Sequence, residues 1–168
     1  MLGSTGSVVP LFQNQIERGG ALTVTDKKTT RFFMSVKEAV ELVLISLVQV
    51  IEKKEKGGIS VLKMGKPVNI DNLARQMIRL SGLTPGKDTK IIYTGLRTGE
   101  KLHEKLFYDD EKQINTDHPD IIIAKGRELN FLKIKKTLDQ IEQNILKNQF
   151  AETINILKDL IPEFMVDQ

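Results

Sequence analysis

Apolar positions along the first 125 residues alternate between helical and extended spacing. Val8, Leu11, Phe12 and Ile16 fall on a helical repeat over Ser7–Arg18, with Pro10 in the first turn and Gly19-Gly20 beyond the last, so a helix is expected there. Ala21–Thr25 alternates and is β-rich, which predicts a short strand. A polar turn, Asp26–Thr30, leads into apolar extended structure over Arg31–Met34. Ser35 and Glu38 have the spacing of a capping box, and Ala39, Val40, Val43, Leu44 and Leu47 are expected to form the inward stripe of a second helix. Lys53–Gly58 reads as a charged loop, Ile59–Met64 as a buried strand, and Gly65-Lys66-Pro67 as the turn out of it. Val68–Asp71 opens a third helix, in which Ile70, Leu73, Ala74, Met77, Ile78 and Leu80 recur and Gly82 supplies the stop. Turn residues Pro85–Asp88 precede a strand at Lys90–Tyr93, and Ile121–Ala124 is another. Helices alternating with strands indicate an α/β architecture.

The spacing changes after Leu129. Ile134, Leu138, Ile141 and Ile145 recur at steps of four, three and four, and Phe150, Ile154, Leu157 and Ile161 repeat those steps after Lys147-Asn148-Gln149. This predicts a helical hairpin over 128–168 following a domain over 1–127. Such a hairpin is expected to pack on its own domain and complete its core, the alternative being a surface for another chain.

Composition narrows the partners. The net charge of +3 comes from 25 basic and 22 acidic residues spread along the chain, with no basic block interleaved with aromatics, so nucleic acid is not an expected partner. With no cysteine there is neither a disulfide framework nor a thiolate zinc site, and an intracellular, cytoplasmic setting is expected. The apolar run Ala39–Ile51 is shorter than the roughly 20 residues a membrane span needs. The start, Met1–Ser7, reads as a ligand-type loop with no strand ahead of it, which suggests the back portion of something longer.

Candidate chemistry centres on Tyr93-Thr94-Gly95-Leu96-Arg97-Thr98-Gly99-Glu100-Lys101-Leu102. It is read as a strand-to-helix turn, with Arg97 offering a planar fork of donors suited to phosphate and Gly95 and Gly99 allowing close backbone approach. The alternative is that Arg97 and Glu100 form a surface ion pair. No G-x-G-x-x-G or Walker-type loop is present, so this chain alone is not expected to bind a nicotinamide cofactor. Tyr108 and Lys112 have the spacing of a dehydrogenase proton-transfer pair, read here as coincidence, and His103 and His118 have no ligand-spaced partners. His103 and Glu104 are expected on a solvated helix face.

Six segments in order carry a family resemblance: Gly6–Phe12, Leu22–Asp26, Thr30–Ser35 with Glu38–Val40, Met64–Val68, Asp71–Ala74 and Gly95–Leu102. Together they resemble the bacterial polysaccharide-biosynthesis branch of the extended short-chain dehydrogenases, the UDP-N-acetylglucosamine inverting 4,6-dehydratases and related epimerases. The resemblance covers residues 3 to 125 and leaves out the hairpin. It implies a small mixed sheet with flanking helices, the carboxyl-terminal, UDP-sugar-binding part of such an enzyme. The amino-terminal Rossmann half, with NADP or NAD and the catalytic Asp-Lys and Tyr residues, would be a separate contribution, so independent catalysis is not expected. The resemblance further implies that Gly6, Ser7, Val8 and Val9 line the uridine and diphosphate site, that Thr23 and Thr25 lie around the nucleotide, and that Arg31, Arg97 and Glu100 grip the diphosphate and ribose. The complete enzyme would oxidise the sugar at C4, eliminate water across C5 and C6, and return hydride to C6; epimerising members share the oxidation. A non-catalytic module that self-associates, or docks onto a cofactor-binding chain, is the reading of another class.

Overall fold

The computed structural model describes residues 3–4, 6–53, 58–108, 111–126, 130–161 and 164. Thr5, residues 54–57 of the expected charged loop, Asp109, Asp110, the expected domain boundary at 127 and 128, and Leu129 lie outside them. The chain divides into two compact units, Met1–Gly126 and Arg127–Gln168.

In the first unit, helix α1 (Val8–Glu17) leads to β1 (Leu22–Val24), β2 (Thr30–Arg31), α2 (Val36–Lys53), β3 (Ile59–Leu62), β4 (Val68–Asn69) and α3 (Ile70–Leu80). Strands β5 (Ile91–Tyr93), β6 (Lys112–Asn115) and β7 (Ile121–Lys125) follow. The α/β architecture is as expected, with the strands shared among three small sheets. β1 and β5 pair in parallel, β2 and β4 antiparallel, and β3, β7 and β6 form an antiparallel sheet with β7 central.

Two apolar clusters hold these pieces. Phe12, Leu22, Val24, Ile70, Ala74 and Ile78 bring α1, β1 and α3 together, with Val8, Ile16, Phe33 and Ile91 packed against them. Met34, Leu42 and Ile121 join the start of α2 to β7. The α1-to-β1 turn is closed by Gly19, which takes the left-handed backbone (φ +66) that a residue with a Cβ rarely adopts.

Several expectations are corrected. The inward stripe of α2 is Ala39, Leu42 and Ile45, while Val40, Val43, Leu44 and Leu47 are each more than half exposed. Periodicity does select a face, since Val40, Val43, Leu44, Leu47 and Ile51 share one side of the helix and its charged residues the other. That face is the exposed one, and the packing runs through Ala39, Leu42 and Ile45 at its margin and beyond. Leu11 and Leu80 are likewise exposed rather than inward. The strand at β3 exists but is an edge, with Ile59 exposed, and the buried strand is β7. Val68-Asn69 is strand β4 rather than the first turn of α3; Asn69 ends it as the N-cap, its side chain accepting from the Asn72 N–H at 2.9 Å. Strand β6 is too polar to have been recognised. The capping box is present: the Ser35 hydroxyl donates to Glu38 Oε2 at 2.6 Å and accepts from the Glu38 N–H at 3.2 Å.

The second unit is the expected hairpin, α4 (Phe131–Leu146) and α5 (Phe150–Leu160). Asn148 takes a left-handed backbone (φ +56) in the connection, and the Asn130 side chain caps α4 by accepting from the Lys133 N–H.

Candidate functional site

The carboxyl edge of the parallel pair β1–β5 gathers most of the candidate residues. Thr94 N–H donates to Val24 O at 2.9 Å, so both strands end at the same level. The chain then leaves β5 through Gly95 (φ +81) and Gly99 (φ +78), both left-handed. An added Cβ would meet nothing within 4 Å at either glycine, so the backbone angle, not space, demands them. Ligand sites of parallel sheets lie outside such strand ends.

The segment after Gly99 does not enter a helix, contrary to expectation. It returns alongside β2: Thr30 N–H donates to Leu102 O at 3.1 Å, and the Thr30 hydroxyl and His103 Nδ1 are hydrogen-bonded at 2.9 Å. His103 and Glu104 are therefore not on a helix face. This return brings Arg31 and Glu100, 69 residues apart, to 3.0 Å. Arg31 also donates to Thr30 O and Leu102 O, and its Nε lies 3.5 Å from Glu104. Its fork is thus directed at protein oxygens that fasten the return segment to β2.

Glu100 pairs with Arg31 rather than with the Arg97 side chain, so the Arg97–Glu100 surface ion pair considered from spacing is not what forms. Its other oxygen accepts the Arg97 backbone N–H at 3.3 Å. Arg97 is exposed at the apex of the turn, and its guanidinium makes no ion pair among the described residues.

Helix α1 points its amino end toward the same edge. Gln15 lies against Thr23, and the tight Arg18–Ala21 turn makes α1 run antiparallel to β1. Going back from Gln15 to Ser7 covers about 12 Å of helix, which carries the start of α1 past the end of β1. Ser7 is the N-cap but makes no side-chain cap bond, and its Oγ is buried without a partner. Gly6 precedes it with φ +79, and Val8 packs on the first cluster. The helix start supplies free backbone donors and the positive end of the dipole.

The threonines divide. The Thr25 hydroxyl is 3.4 Å from that of Thr29, at the edge itself. Thr23 is turned to α1: its hydroxyl accepts from Gln15 Nε2 at 2.8 Å and its N–H donates to Gln15 Oε1 at 3.1 Å.

Sequence reasoning did not find the group beneath the turn. Tyr93, the last residue of β5, donates its hydroxyl to Asp71 Oδ1 at 2.7 Å, and Arg75 Nε donates to Asp71 Oδ2 at 2.8 Å. Burial pushes the Asp71 carboxyl up, but the bonds from Arg75 and Tyr93 and the charges of Arg75 and Lys27 outweigh it and hold the carboxyl below its ordinary value. The bond to Asp71, with burial, raises the Tyr93 phenol and keeps it a donor. The four-residue spacing of Asp71 and Arg75 was a legible sign of their pairing; Tyr93 gave none.

A separate cavity of about 560 Å³ is lined by Phe33, Met34, Leu42, Lys63, Met64 and His118 among others, and none of residues 94–104 lines it. Among the described residues, no cluster of metal-ligating side chains occurs and no helix is long and apolar enough to cross a membrane.

Comparison with known proteins adds the family. Residues 1–126 match the family described as Polysaccharide biosynthesis protein. The Capsular polysaccharide biosynthesis protein CapD of Staphylococcus aureus is 42% identical over 157 residues, 92% of this chain and 24% of CapD. The UDP-glucose 4-epimerase of Rickettsia akari is 36% identical over 135 residues, 79% of this chain and 37% of the epimerase. An X-ray structure of Pen from Bacillus thuringiensis superposes with a TM-score of 0.61 at 32% identity, covering 75% of this chain and 37% of that one. The chain thus spans about a quarter to a third of the length of these proteins. On the match over residues 1–126 and these likenesses, the chain belongs to the polysaccharide biosynthesis protein family, a branch of the extended short-chain dehydrogenases.

Proposed function

We propose that this chain is the nucleotide-sugar-binding part of a 4,6-dehydratase or epimerase of surface polysaccharide biosynthesis, with UDP-N-acetylglucosamine or a close relative as ligand. One observation carries the reading. The turn bearing Arg97 leaves the carboxyl edge of β1–β5 and its exit is fastened by the Arg31–Glu100 pair, in a chain of this family. The Rickettsia relatives, named for UDP-glucose, support the ligand class.

In this reading Arg97 is the direct diphosphate ligand, because its guanidinium stands exposed without an ion pair among the described residues. Val8 and Val9, which follow Gly6 and the Ser7 N-cap, add backbone donors, and the unpartnered Ser7 hydroxyl adds another, while the Ser7 N–H is taken by Ser4 O. Arg31 fixes the exit of the Arg97 turn and shares Glu100, whose carboxylate accepts from a ribose hydroxyl. Thr25 borders the nucleotide, whereas Thr23 serves it only through α1.

The described residues do not fit a dinucleotide: no glycine-rich turn among them has the required spacing. NADP or NAD is accordingly assigned to a cofactor-binding region outside these 168 residues, and no turnover is expected from this chain alone. A nicotinamide bound there would supply the hydride-transfer chemistry at sugar C4, and the residues here would hold the nucleotide for it.

Calorimetric titration of the 168-residue chain with UDP-N-acetylglucosamine tests the reading. Weak binding is expected, reduced at least about tenfold in Arg97→Ala, as for loss of a charge-assisted contact of roughly 1.5–3 kcal/mol. Heat from NADP or NAD would overturn the division of labour. A second reading, an association module, is favoured by the exposed apolar face of α2. It predicts concentration-dependent oligomers in gel filtration and no UDP-sugar heat.

A further inference from the structure

The Arg97 turn has two feet. Its exit is fastened by Glu100 to Arg31 on β2, and its entry is Tyr93, whose hydroxyl reaches Asp71 in the first turn of α3. Both anchors belong to one continuous support. β2 pairs with β4 through Thr30 with Asn69 and Arg31 with Val68; β4 runs directly into α3; and Ile70 N–H donates to Thr29 O at 3.0 Å. Asn69 adds a bond from its side-chain amide to Lys27 O. Arg31 and Asp71 are thereby held at a fixed separation, and the turn from Thr94 to Gly99 bridges it.

Asp71 is built to hold its foot. Its side chain is 5% exposed, and it is chelated by Arg75 through Nε at 2.8 Å and Nη2 at 3.4 Å. Arg75 Nη2 also lies 3.4 Å from the Tyr93 hydroxyl, closing a three-membered network. A buried carboxylate would ordinarily be costly, and here each partner is oriented by the other two.

We infer that Asp71 and Arg75 are positioning residues which, through the Tyr93 hydroxyl, set where the turn leaves β5 and so where Arg97 meets its ligand. They touch no nucleotide themselves. The ligand part of this inference rests on the reading of Arg97 given above; the ordering of the turn does not.

Tyr93→Phe in the full chain is the test, since it keeps the ring and removes only the foot. Two readouts are taken. The first is amide hydrogen exchange at Thr94 and Glu100, whose N–H groups donate to Val24 O and Arg97 O, with Leu83, bonded to Ile78 O, as the core reference. The second is the dissociation constant for UDP-N-acetylglucosamine, measured well below the melting temperature. Exchange at Thr94 and Glu100 is expected to accelerate about fivefold or more relative to Leu83, with a similar weakening of binding, as for loss of one such bond. A lower melting temperature with exchange and affinity unchanged would overturn the inference and leave the network a plain structural peg. If the wild-type chain gives no heat, exchange alone decides, and only the proposed ligand is lost. Should Tyr93→Phe not fold, Arg75→Met, whose side chain is 37% exposed, gives the same two readouts.

Discussion

Helix α3 turns Ile70, Ala74 and Ile78 into the first core, whereas α2, among its described residues, buries Leu42 alone and leaves Val40, Val43, Leu44, Leu47, Val48 and Ile51 between 51% and 65% exposed. Both begin with a side-chain cap, and both carry enough apolar residues for an inward stripe. The difference is coverage. α3 turns its apolar face to a core and its polar face to water; α2 also gathers its apolar residues, Val40, Val43, Leu44, Leu47 and Ile51, on one face opposite its charged residues, but that face is left exposed. Periodicity counts the apolar positions of a helix, but its neighbours decide which of them are buried.

The largest expected contrast is between truncations. Ile78→Ala, at a fully buried site of α3, should cost about 2–5 kcal/mol in urea unfolding, while Leu47→Ala on α2 should stay within about 0.5 kcal/mol. Equal costs would mean that the outer face of α2 is covered in solution.

Next comes the buried carboxylate that anchors α3 to β5. Because the folded Asp71 value lies below the unfolded one, its stabilisation is complete above the unfolded value of 3.8 and disappears as pH falls through the folded one. Asp71→Asn should therefore cost about 1–2 kcal/mol at neutral pH, with the gap to wild type closing below about pH 4. A gap that does not narrow at all on acidification would assign the effect to shape and not charge.

A smaller effect is expected at the α2 cap. Ser35→Ala removes both the bond to Glu38 and the one from its N–H, for about 1 kcal/mol by thermal melting. The Glu38 carboxyl is held low first by the Ser35 hydroxyl and then by its N–H, so this contribution too is present above the ordinary carboxylate range and lost on acidification. The smallest change in folding stability belongs to Leu47→Glu, expected within about 0.5 kcal/mol. Its informative readout is gel filtration: if α2 faces associate, the variant elutes as the smaller species.

Much of the fold was legible because the signals were local. Ser35 with Glu38, Gly19, Gly82 and the apolar triplet Ile121–Ile123 each specify their element within a few residues. What escaped depended on distance along the chain. Strand β4 is two residues long and exists through pairing with β2, and the polar β6 exists through pairing with β7. The site divides in the same way. The 95–99 turn was recognisable from its glycines, but spacing offered Arg97 as the partner of Glu100 when the fold supplies Arg31 from 69 residues away. Tyr93 appeared only as a strand residue, since nothing local marks a hydroxyl that bonds across 22 residues.

Gln15 has a consequence for how this chain can grow. In the β1–β5 pair, Leu22 N–H and Val24 O face β5, so the Thr23 backbone points outward, where the Gln15 side-chain amide takes its N–H. A glutamine thus stands where the next strand would be, and pairing on that flank is stoppered. On the other flank Ile91 and Tyr93 direct their backbone groups away from β1 with no such plug among the described residues, and Ile92 and Tyr93 are exposed. The ribbon is a one-way template: any strand that lengthens it joins at β5, the strand whose far end carries Arg97.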